Sequence, residues 1–206
     1  MKAHTKETQA TMTPNKALDF LKEGNQRFQN NLKANRNLLE QVNDTSEGQF
    51  PFATILSCID SRVSAELVFD QGLGDIFSIR IAGNFSNEDI LGSMEFGCKL
   101  AGTKLVVVLG HTSCGAIKGA CDHARLGNLT ALINKIEPAV DAVTEPKDES
   151  QRNSQNLEFV DKVAEKNVLL TINNIRQHSP VLAEMEDNGE IKIVGAMYDI
   201  STGEVV

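Results

Sequence analysis

The chain has 206 residues, a formal net charge of −8 and a pI near 5.0, a balance that leaves no electrostatic footprint for nucleic acid or for an anionic membrane surface. Hydrophobic residues make up 41% and charged residues 23%, the mix of a globular protein, and a chain of this size hides about 70% of its unfolded surface without needing disulfide staples. The length favours one domain over residues 1–206.

Residues 1–12 (MKAHTKETQATM) contain no apolar stretch of the secretory type and read as a flexible arm. Thr13-Pro14 pairs an N-cap hydroxyl with a proline at the first helical position, and Ala17, Leu21 and Phe28 follow at helical spacing, which predicts a helix over 14–30. The centre of the chain alternates between two periods. Residues 53–59 (ATILSCI), 76–81 (IFSIRI) and 105–109 (LVVVL) are short β-prone runs, the last far too short to span a bilayer. Between the second and third lies a predicted helix over 86–101, opened by a capping box Ser86-x-x-Asp89. Residues 144–156 (TEPKDESQRNSQN) read as an exposed loop, and 157–175 carry a long amphipathic stripe. Ser179-Pro180 starts a short helix, Asn188-Gly189 is a turn, 191–197 is a last core strand, and Ser201-Thr202-Gly203 turns into a small terminal strand. Strand–helix–strand alternation with continuously apolar strands predicts an α/β fold: a mostly parallel central sheet of about four to five strands, flanked by helices.

In such a sheet, ligands gather at the carboxyl ends of the strands. The first strand runs into Cys58-Ile59-Asp60-Ser61-Arg62, and the third runs through Gly110 into His111-Thr112-Ser113-Cys114-Gly115. If these strands are neighbours, Cys58, His111 and Cys114 converge from two loops. A sulfur–nitrogen–sulfur set suits Zn²⁺, and three protein ligands with a fourth position open describe a catalytic site. The plainer reading of a lone buried cysteine is a small hydrophobe, and Cys98 and Cys121, inside predicted helices, are assigned to packing. His4, His123 and His178 have no motif around them and read as solvated or capping residues. Asp60 and Arg62, two apart, are either a surface ion pair or a carboxylate aimed at the metal by its guanidinium. Gly110 and Gly115 followed by Lys118 fail the spacing of a phosphate-binding loop, which needs the lysine directly after the second glycine. Four cysteines are too few for a disulfide framework, so a reducing, cytoplasmic setting is expected.

Together, Cys58-x-Asp60-Ser61-Arg62 and His111-x-x-Cys114-Gly115 resemble the two signatures of the β-class carbonic anhydrases. Arg80-Ile81-Ala82-Gly83-Asn84 is similar to that family's segment after the second strand, and Tyr198-Asp199-Ile200 with Thr202-Gly203 to its closing strand pair. The resemblance implies the β-carbonic anhydrase fold and a lyase that reversibly hydrates CO₂ to bicarbonate and a proton by zinc-bound hydroxide. It implies one Zn²⁺ per subunit on Cys58, His111 and Cys114. Asp60 and Arg62 become the catalytic pair, with Asp60 a fourth ligand in a closed state. Gln49 matches a substrate-binding glutamine of the plant-like branch, and Val63, Phe77 and Gly115 line the pocket. Phe96 stands where that branch commonly carries a tyrosine, so a hydroxyl contact is lost. The other branch has a bicarbonate site with a tryptophan three residues before the first cysteine ligand. Ile55 stands there, and the chain has no tryptophan. The resemblance also implies a homodimer or higher homo-oligomer, with part of each pocket drawn from the second subunit, and neither nucleic acid nor membrane as partner. Two alternatives stay open: a carbonyl sulfide or carbon disulfide hydrolase on the same scaffold, and a non-catalytic zinc-binding protein.

Overall fold

The computed structural model describes residues 2–206. Its amino-terminal part departs from the flexible arm expected there. Thr5 and Thr8 form a capping box that opens α1 (Lys6–Ala10). Gln9 on this helix donates through Nε2 to the carbonyls of Pro51 (2.7 Å) and Ala101 (2.8 Å), and Ala3 and Met12 are buried. Residues 2–12 are therefore seated on the body of the protein; Met1 lies outside the described residues. Helix α2 (Pro14–Gln29) starts as predicted, with the Thr13 hydroxyl accepting from the Lys16 N–H. Helix α3 (Leu38–Asp44) was not anticipated. Its Leu38, Leu39 and Val42 are exposed and Gln41 is buried, so no inward apolar stripe announces it.

Four strands, β1 (Ala53–Ser57), β2 (Ile76–Arg80), β3 (Leu105–His111) and β4 (Lys192–Tyr198), form one parallel sheet in the order β2-β1-β3-β4. β1 and β3 are buried at every position, as strands covered on both faces must be. Alternate side chains divide between two layers. Ala53, Ile55, Leu105, Val107 and Leu109 pack with Ala17 and Leu21 of α2 and Val68 of α4 (Ala65–Val68). Leu56, Val106, Val108 and Ile193 pack on the opposite face. Their partners there are Met94 of α5 (Glu88–Glu95), Val168 and Ile172 of α8 (Leu157–His178) and Leu182 of α9 (Pro180–Asp187). A third cluster joins α6 (Gly115–Cys121), α7 (Gly127–Ala142) and the start of α8 to Cys58 and Cys114. The chain leaves β1 for β2 on one side and returns to β3 on the other. That reversal opens the crevice outside the carboxyl ends of β1 and β3.

Several local expectations change. Asn87, not Ser86, caps α5 by accepting from the Ile90 N–H, and the Ser86 hydroxyl accepts instead from Asn174 of α8 (2.7 Å). The helix predicted to reach residue 101 widens at Phe96–Leu100 into a π turn, closed by the Ala101 N–H on the Phe96 carbonyl. Here the backbone presses on β1: a Cβ on Gly97 would stand 2.6 Å from Thr54 Oγ1. The 144–156 loop is mostly exposed as expected, but Arg152 turns inward to the carbonyls of Val140 and Val143 and lies over the Phe159 ring. The small terminal strand is reduced to one antiparallel bridge, Tyr198 with Val205. Among the described residues, no helix is long and apolar enough to cross a membrane.

The loop after α2 is held by one buried carboxylate. Asp70 receives Arg27 Nε and Arg36 Nη1, each at 2.5 Å, and the Ala34 N–H at 3.0 Å. Burial alone would raise its carboxyl; Arg27, the Ala34 N–H and Arg36 outweigh that and hold it below the ordinary range. A group depressed in this way contributes stability that is complete above the unfolded carboxylate value and fades as pH falls through the folded one. Asp70→Asn is expected to lose about 3 kcal/mol at neutral pH, by removing the carboxylate charge that Arg27 and Arg36 both face. Urea unfolding should show that deficit shrinking below about pH 4. An equal deficit in acid would assign the loss to shape instead of charge.

Candidate metal centre

Three residues meet at the crevice. Cys58 directly follows β1, His111 ends β3 and Cys114 is the N-cap of α6, and all three are buried. Their ligand atoms lie within 4.8 Å of one another, and they are the group among the described residues that could hold a metal ion. His111 Nδ1 lies 2.9 Å from the Thr112 carbonyl. A carbonyl only accepts, so Nδ1 carries the proton and Nε2 presents its lone pair. That Nε2 is buried with no hydrogen-bond partner, an arrangement a protein keeps when something else satisfies the atom. The two sulfurs are 3.9 Å apart. A tetrahedral Zn²⁺ with Zn–S bonds of about 2.3 Å sets its sulfurs about 3.8 Å apart. The donor set and its spacing fit that ion.

The sulfurs also divide their charge. Cys58 is pulled below the usual thiol range, foremost by sharing the proton of Cys114, with the Gly83 N–H (3.4 Å) assisting against burial. Cys114 is pushed well above the usual thiol range by the same neighbour and by burial. A divalent cation would be held by both sulfurs as thiolates, so its binding would release the proton they share.

Beside this group, Arg62 grips Asp60 through two parallel bonds, Nε to Oδ1 (2.9 Å) and Nη2 to Oδ2 (2.7 Å), and its own N–H reaches Oδ1 (3.0 Å). The guanidinium holds the Asp60 carboxyl well below the usual carboxylate range despite partial burial. Oδ2 stands 3.9 Å from His111 Nε2, so an ionised carboxylate borders the point on which the three ligand atoms converge.

Several supports of this geometry were not legible in the motifs. Arg80, the last residue of β2, donates to the carbonyls of Cys58 (3.0 Å) and Asp60 (2.7 Å) and braces the first ligand loop. Gly83, whose N–H meets Cys58 Sγ, has φ +77, and a Cβ there would lie 2.4 Å from Ile136 Cδ1. Asn167, buried on α8, donates to the Gly83 carbonyl at 2.8 Å. The one signal for any of these was the segment from Arg80 to Asn84.

The remaining expected residues divide. Val63 is fully buried beside the dyad, where its N–H closes a turn on the Asp60 carbonyl. Gly115 is the exposed first residue of α6, with open space where a Cβ would point. Gln49, Phe77 and Phe96 do not join the cluster within one protomer. Phe77 pairs in register with Thr54, so it sits about 13 Å along the strand from Cys58. Phe96 packs on Phe77 with ring centroids 6.1 Å apart, and Gln49 is exposed beside Thr45 and Leu73 ahead of β1. Cys98 and Cys121 are buried and their thiols pushed up to about 11 by that burial, in keeping with packing roles. His123 pairs with Glu137 (3.0 Å), His178 Nδ1 lies 3.1 Å from the Asn174 carbonyl, and His4 packs against Phe20 and Phe52.

Comparison with known proteins agrees with this geometry. Residues 53–205 match a family model described as carbonic anhydrase. The chain is 34% identical to carbonic anhydrase 2 of Mycobacterium tuberculosis over 94% of its own length and 92% of that protein. It is 32% identical to a carbonic anhydrase of Mycolicibacterium smegmatis over 93% and 92% of the two chains. Among solved structures, the β-carbonic anhydrase CcaA superposes with a TM-score of 0.71 at 26% identity, covering 92% of this chain and 93% of the other.

Proposed function

The chain belongs to the β-class carbonic anhydrase family, and from that premise we propose that it reversibly hydrates CO₂ to bicarbonate and a proton, using one Zn²⁺ per subunit on Cys58, His111 and Cys114. The observation that carries the reading is the partnerless Nε2 of His111, converging with two sulfurs 3.9 Å apart beside an ionised carboxylate. When bound, the ion would supply the Lewis acidity that activates water near neutral pH. The protein's own residues do the rest. Asp60, kept ionised by Arg62, can only accept a hydrogen bond, so it fixes the direction in which the nucleophile's lone pair points. Released from Arg62, the same carboxylate would be the residue to supply a fourth ligand and close the site. Val63 and Gly115 form apolar wall beside it, suited to a nonpolar gas.

Gln49, Phe77 and Phe96 complete this pocket from a second copy, in a homodimer. What supports the composite pocket is their position at the far end of the strands from their own ligands, on the side where β2 leaves an unpaired edge and Phe96 is 51% exposed. Gln49 then donates its amide to the oxygen on which charge develops. None of the four cysteines forms a disulfide among the described residues, which suits a reducing compartment such as the cytoplasm.

Zinc analysis of the purified protein combined with stopped-flow assays on CO₂, carbonyl sulfide and carbon disulfide tests the reading. One zinc per chain with turnover of CO₂ is expected. Zinc with turnover of the sulfur compounds alone would move the activity to them, and zinc without any turnover would leave a non-catalytic zinc protein.

A further inference from the structure

Helix α8 supplies none of the three ligands, yet one of its side chains grips the loop that carries two of them. His111 and Cys114 are separated by only two residues, and the chain must reverse between them for both to face one point. It reverses at Ser113, whose φ is +54, in the left-handed region that a residue with a Cβ enters only at a cost. The neighbouring Thr112 is tied to the end of the sheet, its N–H to the Tyr198 carbonyl (3.0 Å) and its hydroxyl to the Ile200 N–H (3.1 Å). The strained residue itself is held from elsewhere. Its N–H donates to Asp161 Oδ1 at 2.8 Å, from the second turn of α8. Asp161 forms no ion pair among the described residues, so its negative charge is spent on this one backbone donor, the pairing that makes a charge-assisted bond.

We propose that Asp161 is a positioning residue of the metal centre. It holds the left-handed turn at Ser113 and thereby sets the distance and direction between His111 Nε2 and Cys114 Sγ. The proposal rests on the Cys58–His111–Cys114 group being a zinc centre. A purely structural role, anchoring α8, is disfavoured by the packing of that helix. Phe159, Val160, Val163, Ala164 and Val168 bury it without help from one loop bond.

The test follows release of Zn²⁺ to a chromogenic chelator, together with the visible spectrum of the Co²⁺-substituted protein, which reports thiolate ligation. Asp161→Ala is expected to release zinc at least about tenfold faster, as loss of an outer partner of a metal ligand does, and to weaken the cobalt–thiolate band while the far-ultraviolet circular dichroism is retained. Asp161→Asn keeps an acceptor oxygen and should hold zinc as the parent does. Ser113→Gly, which removes the left-handed strain, should restore retention in the Asp161→Ala background. Parental release rates in Asp161→Ala, or a loss that Ser113→Gly leaves uncorrected, overturn the proposal. Should Asp161→Ala not fold, the Ser113→Gly/Asp161→Ala protein decides. Folded and zinc-retaining, it supports a role confined to this turn; unfolded, it refutes that role. A parent protein that takes up no zinc overturns the zinc reading of the site and, with it, this proposal; a parent that binds zinc and a variant that releases it no faster overturn this proposal alone.

Discussion

In Asp60→Ala, zinc content is expected to stay at the parental level while kcat/KM for CO₂ falls by about 10²–10⁴-fold, the range that a positioned acid–base group contributes. The substitution leaves the three ligand atoms untouched. It removes the bond from the Arg62 N–H to Oδ1, but Arg80 and the Val63 N–H still hold the loop at the Asp60 carbonyl, which alanine retains. What disappears is a negative charge beside the metal locus. Arg62, half exposed at 50%, turns to water when its partner goes, so no buried cation is stranded. Since Arg62 holds the Asp60 carboxyl well below the usual range, the carboxylate is charged throughout neutral and alkaline pH. The loss should therefore be uniform across that range. An unchanged kcat/KM would remove Asp60 from the mechanism, and a loss confined to the acid side would mean that it titrates during catalysis.

Cys58→Ala should lose both metal and turnover. Removing an outer partner of a metal ligand weakens affinity by about 10–100-fold, and deleting one of three direct ligands should exceed the upper figure. The variant leaves the Gly83 N–H without its sulfur acceptor and leaves His111 and Cys114 with a single thiolate between them. The fold should survive, because β1 is buried along its whole length before Cys58 and the Cys58 carbonyl still receives Arg80. Metal analysis of the folded variant checks this, and full zinc occupancy would break the ligand assignment.

The sequence by itself determined the parts whose causes are local. Apolar runs over β1 and β3 specified strands covered on two faces, Thr13-Pro14 and Ser179-Pro180 specified helix starts, and polar clusters at two strand ends singled out Cys58, Asp60, Arg62, His111 and Cys114 as candidates. Each depends on residues a few positions apart, where spacing and caps act directly. Even locally a distant neighbour intervenes: Asn87 caps α5, while the Ser86 hydroxyl is engaged by Asn174, 88 residues further along the chain.

Only the tertiary structure decided the rest. The strand order β2-β1-β3-β4 made β1 and β3 neighbours and so brought Cys58 to His111 and Cys114. The register of β2 set Phe77, with Phe96 packed on it, at the far end of the sheet from those ligands. Asn167 reaches Gly83 across 84 residues of chain and Asp161 reaches Ser113 across 48. Contacts of that span depend on strand register and helix packing, which are properties of the whole folded core. No local pattern encodes them, and for that reason the candidate ligands could be read from their motifs while the residues that brace their loops could not.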